Sequence, residues 1–290
     1  SSEMALSRGG PTRGLNDSMT IPTRSEVPER TSAMISTARG RERLGCFSIE
    51  GTRLHERALR AGAKVRRALV SESYRADELE RSRKLFADLE QAGCELRTAP
   101  DDLLFRLTDG RNIGAIVGLV PLAGPAPLVD LVPEDRDASC TLLVAVELDD
   151  PGNVGALVRT ALASGCAGFV GVGQGDPFHP KAVRTSMGSL FRLPVLSFPE
   201  VGPLLTELAV LGVRTVGSVA TGGTPLPPAG LNPPRAALFV GGESFGLAET
   251  VQQELDERVS IPMGSEIDSY SVNAAAAILL YALVKGRRGG

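Results

Sequence analysis

The chain of 290 residues has no tryptophan, two histidines and four widely spaced cysteines. It contains no C-x-x-C pair, and His55 and His179 are its only histidines, so it lacks both the ligand spacing of a zinc site and the framework of a disulfide-rich domain. The sequence therefore predicts buried free thiols in a reducing cytoplasm, at Cys46, Cys94, Cys140 and Cys166.

Long apolar runs and nucleotide-binding fingerprints are also absent. No stretch of eighteen apolar residues occurs and the N-terminus is polar, which predicts neither membrane insertion nor Sec-dependent export. The chain has no G-K-S or G-K-T triplet, which excludes a P-loop. The glycines between Gly171 and Gly175 lack the spacing of a dinucleotide fingerprint, so a nucleotide-dependent oxidoreductase is a weak hypothesis.

Composition divides the chain into four parts. Residues 1–32 are rich in Ser, Thr, Pro, Gly and Arg and are predicted to form a flexible arm. Residues 33–121 alternate short strand and helix patterns, including a helix predicted over 77–91, and predict a small α/β domain. A proline-rich linker is predicted over 122–137, and the second domain over 138–290.

The second domain shows strands alternating with helices. Strands are predicted at 141–148, 168–172, 194–198, 213–219, 236–240 and 259–262, and helices at 154–164, 180–191, 200–211 and 271–285. Apolar strands alternating with helices are typical of a mostly parallel sheet covered on both faces. In such sheets, ligands bind at the carboxyl ends of the strands.

Charge is unevenly distributed, although the net charge is only −3. Residues 30–67 hold ten Lys or Arg against three acids. This cluster is either an ordinary solvated face or a surface for phosphate, for which arginine is the better ligand.

Three segments of the second domain carry chemistry. The first follows the strand 141–148, where Asn153 stands in a Pro-Gly turn and Arg159 in the next helix. Capping that helix is the simplest role for Asn153. Arg159 is either a surface ion-pair partner or a phosphate ligand, because the small residues Gly155 and Ala163 lie one turn away and leave room for a phosphate.

The second and third segments end the last two predicted strands. Gly241 and Gly242 let the backbone approach a ligand closely, and Glu243 either serves the site or caps the next helix. In the third segment, Pro262 ends a strand before a polar loop. Ser271 and Asn273 then open a helix that begins with four alanines.

Together these segments resemble the three motifs of the SpoU, or TrmH-like, family of RNA ribose 2′-O-methyltransferases in the SPOUT class. The matching patterns are N-x-G-A-x-x-R-T-A at 153–161, G-x-E-x-x-G-L at 241–247, and I-P-M at 261–263 with S-x-N at 271–273. The stretch 176–191 is similar to the family as well, which commonly has Asn where His179 stands. The resemblance covers residues 138–285.

The resemblance implies a fold, a cofactor and residue roles. It implies an α/β domain with a deep trefoil knot, S-adenosyl-L-methionine as methyl donor, no metal, and a homodimer in which Arg159 reaches a site completed by the partner. Catalytic roles are implied for Arg159, Asn153, Glu243, Ser271 and Asn273, and cofactor contacts for Gly241, Gly242, Ile261, Met263 and Val272. Whether Arg159 removes the proton or holds the adjacent phosphate stays open, since a guanidinium is a very poor base.

Upstream, residues 47–53 and 67–71 resemble the substrate-binding domain that precedes many such enzymes and is similar to small RNA-binding ribosomal proteins. The resemblance makes ribosomal RNA the expected substrate, with transfer RNA or a non-catalytic ribosome-assembly role as alternatives. The expected RNA contacts are Arg41, Arg43, Arg53, Arg66, Arg67, Lys181 and Arg184. Base stacking is not expected to be the main device, because the chain has three Tyr and no Trp.

Overall fold

The computed structural model describes residues 35–108, 110, 115–124, 126–227, 231, 233–243, 245–264, 266 and 268–284. The arm predicted over 1–32 lies outside these residues. The described chain forms two α/β units, each built on its own sheet. Within the described residues no helix has the length and apolar character needed to cross a membrane.

The first unit is a four-stranded mixed sheet with helices packed against it. Its strands are β1 (Cys46–Glu50), β2 (Arg67–Ser71), β3 (Glu95–Ala99) and β4 (Ile116–Pro121). Their order is β1-β4-β2-β3, and only the pair β2–β3 is parallel. The helices are α1 (Ala38–Leu44), α2 (Thr52–Arg60), α3 (Glu72–Arg75), α4 (Glu80–Gln91) and α5 (Asp101–Leu107).

The strands predicted for this unit are present, whereas some helices differ from the prediction. Helix α1 was not expected from the sequence. It is capped by the side chain of Thr37, which accepts from the Gly40 amide, and it ends at Gly45 in the left-handed region. The helix predicted from residue 77 begins at Glu80 instead, after the separate short helix α3.

A fully buried histidine lies in the core of this unit. The side chain of His55 on α2 is 0% exposed, and its Nδ1–H donates to the carbonyl oxygen of Gly51 at 2.8 Å. No described group hydrogen-bonds its Nε2 atom. Burial lowers the pKa of His55 to about 4, so the ring is neutral at pH 7.

Acid should therefore destabilise the protein through His55. Its folded-state pKa lies below the unfolded value near 6.5, so the unfolded chain binds more protons between those values, and stability falls as the pH drops through that window. From pH 7 to pH 5 this group should cost about 2 kcal/mol of unfolding free energy. His55→Leu should lose this component, while His179→Asn should keep it. Urea denaturation at both pH values measures the difference, and parallel losses in wild type and His55→Leu would refute the assignment.

The segment predicted as a linker packs into the second unit. A 3-10 helix spans Leu128–Leu131, and Leu128, Leu131 and Val132 are buried in the apolar cluster beneath the large sheet. The guanidinium of Arg235 binds the carbonyl oxygens of Pro133, at 2.7 Å, and of Asp135. Residues 128–135 therefore belong physically to the second unit and do not act as a free spacer.

The second unit contains a seven-stranded sheet among the described residues. Its strands are β5 (Cys140–Val146), β6 (Gly168–Val172), β7 (Val195–Phe198), β8 (Arg214–Ser218), β9 (Thr224–Pro225), β10 (Arg235–Val240) and β11 (Glu257–Ser260). They run parallel in the order β7-β6-β5-β10-β8-β11-β9. The mostly parallel α/β sheet predicted from the sequence is confirmed.

Helices cover this sheet on both faces. They are α6 (Pro151–Ser164), α7 (Pro180–Thr185), α8 (Val201–Val210), α9 (Glu249–Glu254) and α10 (Val272–Val284). The helix predicted over 180–191 is shorter, because α7 ends at Thr185 and a 3-10 turn follows at Ser189–Phe191. One apolar cluster contains buried residues of α6 and α10, and a second contains Leu204 and Leu208 of α8.

The two units share a buried interface. The ring of Phe47 on β1 lies 5.2 Å from that of Phe178 and 6.4 Å from that of Phe191, measured between centroids. Arg184 on α7 donates to both carboxylate oxygens of Glu50 at 3.1 Å. The first unit is therefore held against α7 and the segments around it. All four cysteines are buried free thiols, as predicted.

Candidate active site

A cavity of about 370 Å³ lies at the carboxyl edge of the large sheet. The ends of β8, β10 and β11 and the start of α10 form its walls. It is lined by Ser218, Val219, Ala220, Thr221, Val240, Gly241, Gly242, Glu243, Phe245, Gly246, Leu247, Gln252, Ile261, Met263, Ser269, Tyr270, Val272 and Ala275. Neighbouring parallel strands place their carboxyl ends together, which is where such folds bind ligands.

The five residues predicted to contact the cofactor all line this cavity. They are Gly241, Gly242, Ile261, Met263 and Val272. They come from two strand ends and one helix start that are separated along the chain. The fold thus brings the second and third sequence motifs to one place, where the predicted contacts are geometrically possible.

Gly241 leaves no space for a side chain. A Cβ atom there would lie 2.1 Å from the carbonyl carbon and oxygen of Gly246 and 2.3 Å from the amide nitrogen of Leu247. The amide of Gly246 also donates to the Gly242 carbonyl at 2.8 Å, which closes a turn between these two glycines. The glycines therefore allow this wall of the cavity to consist of closely packed backbone.

The first motif begins a helix in a way the sequence did not predict. Asp150, not Asn153, is the N-cap of α6, and its carboxylate accepts from the Gly152 amide at 2.9 Å. Pro151 occupies the first helical position, where a missing amide costs nothing. The pKa of Asp150 lies below its usual value. The main cause is the hydrogen bond that Lys181 donates to its carboxylate, and the second is the hydrogen bond from the Gly152 amide. The capping role considered for Asn153 is wrong.

Asn153 contacts the third motif instead of capping α6. Its Oδ1 atom accepts from Nδ2 of Asn273 at 3.3 Å, which joins the first turns of α6 and α10. The Oδ1 atom of Asn273 is buried and has no hydrogen-bond partner among the described residues. Ser271 caps α10, since its hydroxyl accepts from the Ala274 amide at 3.3 Å. An unpaired buried amide oxygen at such a junction is available to a donor from a ligand.

Arg159 lies on the exposed side of α6. It makes no hydrogen bond or ion pair with any residue that the structure describes, which leaves its guanidinium available to a ligand or a partner subunit. The space expected beside Gly155 is filled, however. A Cβ at Gly155 would lie 2.1 Å from the Ala182 carbonyl oxygen and from the Thr185 hydroxyl, so Gly155 serves close packing of α6 on α7. Ala163, the other small neighbour, is exposed, so room for a phosphate remains on that side of Arg159.

Glu243 belongs to the cavity wall and caps no helix. Helix α9 begins at Glu249 after Ala248, six positions beyond Glu243. The alternative role considered for Glu243 as a helix cap is therefore wrong. Its exposed carboxylate lies on the turn that lines the cavity, where it can bind a donor of a ligand.

Part of the lining was not expected from the sequence. Residues 218–221 follow β8, and Gln252, Ser269 and Tyr270 come from other segments. A strand was predicted over 213–219, and the glycines at 222 and 223 indicate a turn after it. Without knowing that β8 lies beside β10, that signal could not be connected with the second motif.

The basic residues predicted to bind RNA fall into different environments. Arg41 is 2% exposed and binds the Ile35 carbonyl oxygen at 2.6 Å and the Asp176 carboxylate; burial lowers its pKa to about 10. Arg184 is 17% exposed and paired with Glu50. These two arginines bind across the interface between the units. The expectation that Arg41 contacts RNA is wrong, because its side chain is buried. For the partly exposed Arg184 the RNA contact stays a prediction.

The other predicted RNA contacts reach the surface. Arg67 pairs with Glu95 at 2.6 Å, and Lys181 with Asp150 at 2.6 Å. Arg43, Arg53 and Arg66 are exposed. These last three are the members of the predicted set that stand open to solvent without a described ion pair.

The site shows the chemistry of a small-molecule pocket. Its volume lies within the range of pockets that hold cofactors, and its walls combine backbone, apolar side chains and a few polar groups. Among the residues described, no group of three or more His, Cys, Asp or Glu is arranged to hold a metal ion.

Comparisons with known proteins agree with this arrangement. The model of the SpoU rRNA Methylase family matches residues 141–281. The chain is 28% identical over 254 residues to the 23S rRNA (guanosine(2553)-2′-O)-methyltransferase RlmP of Bacillus subtilis, covering 86% of this chain and 92% of that protein. It is 35% identical over 234 residues to an uncharacterized tRNA/rRNA methyltransferase of Mycobacterium bovis, covering 79% and 71%.

A solved structure is similar over nearly the whole chain. It is the SpoU methyltransferase AviRb from Streptomyces viridochromogenes, in complex with the cofactor AdoMet. The TM-score is 0.80 at 27% sequence identity, and the match covers 92% of this chain and all of that one. The similarity therefore extends through both units.

Proposed function

The chain belongs to the SpoU rRNA methylase family, and from that premise we propose that it methylates a ribose 2′-hydroxyl of ribosomal RNA with S-adenosylmethionine. The observation that carries the proposal is the cavity, whose walls join the second and third motifs beside the Asn153–Asn273 contact. The relative from Bacillus subtilis is named for this reaction on 23S rRNA. A cytoplasmic location, expected from the sequence, agrees with a ribosomal substrate.

The cavity fits the cofactor. Its size suits a nucleoside-sized molecule, and the backbone at Gly241 can approach such a molecule closely. We assign Gly241, Gly242, Ile261, Met263 and Val272 to holding it. When bound, the sulfonium supplies an already activated methyl group.

The protein's own residues then have to position the ribose oxygen and remove its proton. We assign the first task to Arg159, whose exposed guanidinium can grip a phosphate next to the target ribose. Glu243 at the cavity wall and the Asn153–Asn273 pair would orient the sugar through hydrogen bonds. Ser271 supports this arrangement by fixing the start of α10.

We further propose a homodimer and a trefoil knot, both implied by the family resemblance. Tyr281 on α10 is 64% exposed, and Arg159 is exposed on the adjoining α6, which supports a subunit contact along these helices. A mass of 30.4 kDa in sedimentation equilibrium would contradict the dimer.

The order of elements supports the knot. Strand β10 lies between β5 and β8, and α10 then packs back onto α6. A crystal structure traced over 235–284 would test the knot.

The first unit is proposed to bind RNA through its exposed arginines. Arg66 precedes β2, and its amide donates to the Leu119 carbonyl at 2.9 Å. Arg43 lies two residues before Gly45, whose carbonyl accepts from the Leu122 amide at 2.9 Å. Arg43 and Arg66 therefore lie at the same end of the small sheet, where β4 ends. Arg53 stands in the first turn of α2, which follows the opposite end of β1.

Neutralising Arg43 and Arg66 together should weaken RNA binding. Each lost phosphate contact should reduce the slope of log affinity against log salt by about 0.7 to 0.9. The matched control is Arg83→Gln with Arg106→Gln, which removes the same charge from residues that are 65% and 60% exposed elsewhere in this unit. Filter binding of 23S rRNA between 50 and 200 mM salt measures both pairs. Equal slopes for the two double variants would show that the cluster is an ordinary solvated face.

The proposed reaction is tested by methyl transfer in vitro. Purified protein, tritiated S-adenosylmethionine, and ribosomal and transfer RNA from a strain lacking this gene should give label in ribosomal RNA. A labelled linkage that resists alkaline hydrolysis identifies the 2′-oxygen as the acceptor. Label in transfer RNA alone would show that the substrate is transfer RNA and not ribosomal RNA. Calorimetry that detects no cofactor binding at millimolar concentration would refute the enzyme and favour a non-catalytic assembly factor.

A further inference from the structure

The turn between Gly242 and Gly246, which lines the cavity, carries an exposed phenyl ring. The side chain of Phe245 is 95% exposed, more than any other large hydrophobic residue among those described. Single exposed apolar residues are common and need no explanation by themselves. Phe245 differs from Leu79 and Val210, which are also well exposed, because it lines the proposed active site.

Hydrogen bonds constrain the two residues that follow Phe245. The Gly246 amide donates to the Gly242 carbonyl at 2.8 Å, and Gly246 takes a left-handed conformation with φ of 63°. The next residue, Leu247, is 3% exposed in the core, and its carbonyl accepts from the Gln252 side chain at 2.7 Å. The Gly242–Gly246 turn and the residue after it are thus held by hydrogen bonds, while the Phe245 side chain stays exposed.

The groups that line the cavity together with the ring suit a nucleoside. Glu243 lies two positions away on the same turn and offers a carboxylate, which accepts hydrogen bonds from sugar hydroxyls. Tyr270 is 43% exposed and lines the same cavity from another segment. A ring and a hydrogen-bond acceptor that line one cavity can contact the base face and the ribose of one nucleotide.

We propose that Phe245 stacks on the base of the nucleotide that is methylated, or of its immediate neighbour, and so holds the ribose at the cavity mouth. This inference rests on the proposed function and names a substrate-binding residue for it. Every base has a π face, so one aromatic ring can add binding energy by stacking without selecting a particular base. The low aromatic content excludes an extended stacking platform but is compatible with one ring at the point of reaction.

The test compares side chains at this position. Phe245→Ala and Phe245→Leu should each raise the KM for a 23S rRNA transcript by about tenfold or more, the range of one lost base stack. Phe245→Trp should stay within about threefold of wild type, because it keeps an aromatic face. Val210→Ala, which removes an apolar side chain that is 75% exposed away from the cavity, should change nothing.

Two further measurements separate base stacking from other roles. The affinity for S-adenosylmethionine, from calorimetry, and the mass in solution, from sedimentation, should be the same for Phe245→Ala and wild type. A tenfold weaker cofactor would mean that the ring covers the cofactor, and a smaller mass would place it at a subunit contact; either result overturns the proposal. An unchanged KM in Phe245→Ala, or full activity in Phe245→Leu, does the same. No transfer by the wild type to any RNA would instead refute the proposed function, and with it this inference.

Discussion

Arg159→Ala is expected to reduce methyl transfer at least a hundredfold while the fold and cofactor binding persist. The guanidinium is exposed and unpaired among the described residues, and alanine is the best helix former, so α6 should keep its structure. Loss of a group that aligns the nucleophile costs orders of magnitude in rate. Single-turnover transfer to 23S rRNA, with calorimetry of the cofactor as the companion measurement, checks the result.

Arg192→Ala is the matched control, since Arg192 is another exposed arginine of the same unit and stands outside the three motifs. Arg159→Lys keeps the positive charge but loses the planar fork, and it should also be slow if the guanidinium grips a phosphate in a bidentate way. Weaker RNA binding in Arg159→Ala would favour this grip over proton removal. A single-turnover rate close to wild type would remove Arg159 from the site.

Gly241→Ala is expected to weaken cofactor binding at least tenfold. The added Cβ would meet the Gly246 carbonyl carbon and oxygen at 2.1 Å, far inside contact distance. The turn cannot yield easily, because Leu247 is buried in the core and the Gly242–Gly246 hydrogen bond closes it. The backbone that forms the cavity wall must therefore shift, at a cost of about 1 to 3 kcal/mol in stability.

Gly264→Ala provides the control for this effect. Gly264 directly follows Met263 of the cavity, yet a Cβ there would meet nothing within 4 Å. Calorimetric titration with S-adenosylmethionine should give wild-type affinity for Gly264→Ala and a weakened affinity for Gly241→Ala. If both variants bound the cofactor equally well, the turn at Gly241 would not be a wall of the binding site.

Asn153 and Glu243 show how far local sequence patterns extend. Both residue types favour helix starts, and both stand just before or within a helical pattern, so capping was a reasonable local role for each. The structure assigns the cap of α6 to Asp150 and starts α9 well beyond Glu243. A helix cap bonds to the backbone of its own helix, whereas a site residue contacts residues that are distant in the sequence. Asn153 belongs to the second kind, because its side chain accepts a hydrogen bond from Asn273.

The basic cluster shows the same limit for charge. Arg41 and Arg43 are two positions apart on α1, yet one is buried against Asp176 and the other is exposed. The number of charged residues can be read from the sequence, but the sequence does not show which side of a helix another unit will cover. The docking of the first unit onto α7 therefore decided which arginines are open to RNA.

The sequence by itself determined the alternation of strands and helices, the parallel α/β class and the family, because apolar periodicity and ordered motifs are local properties of the chain. The tertiary structure alone decided the strand order, which places β10 between β5 and β8 and so joins motifs 120 residues apart, as the Asn153–Asn273 contact shows. It also decided that Phe245 stays uncovered while Gly155 is packed against α7. The physical reason is that exposure and close approach depend on which distant surfaces meet, and these contacts form only when the whole chain packs.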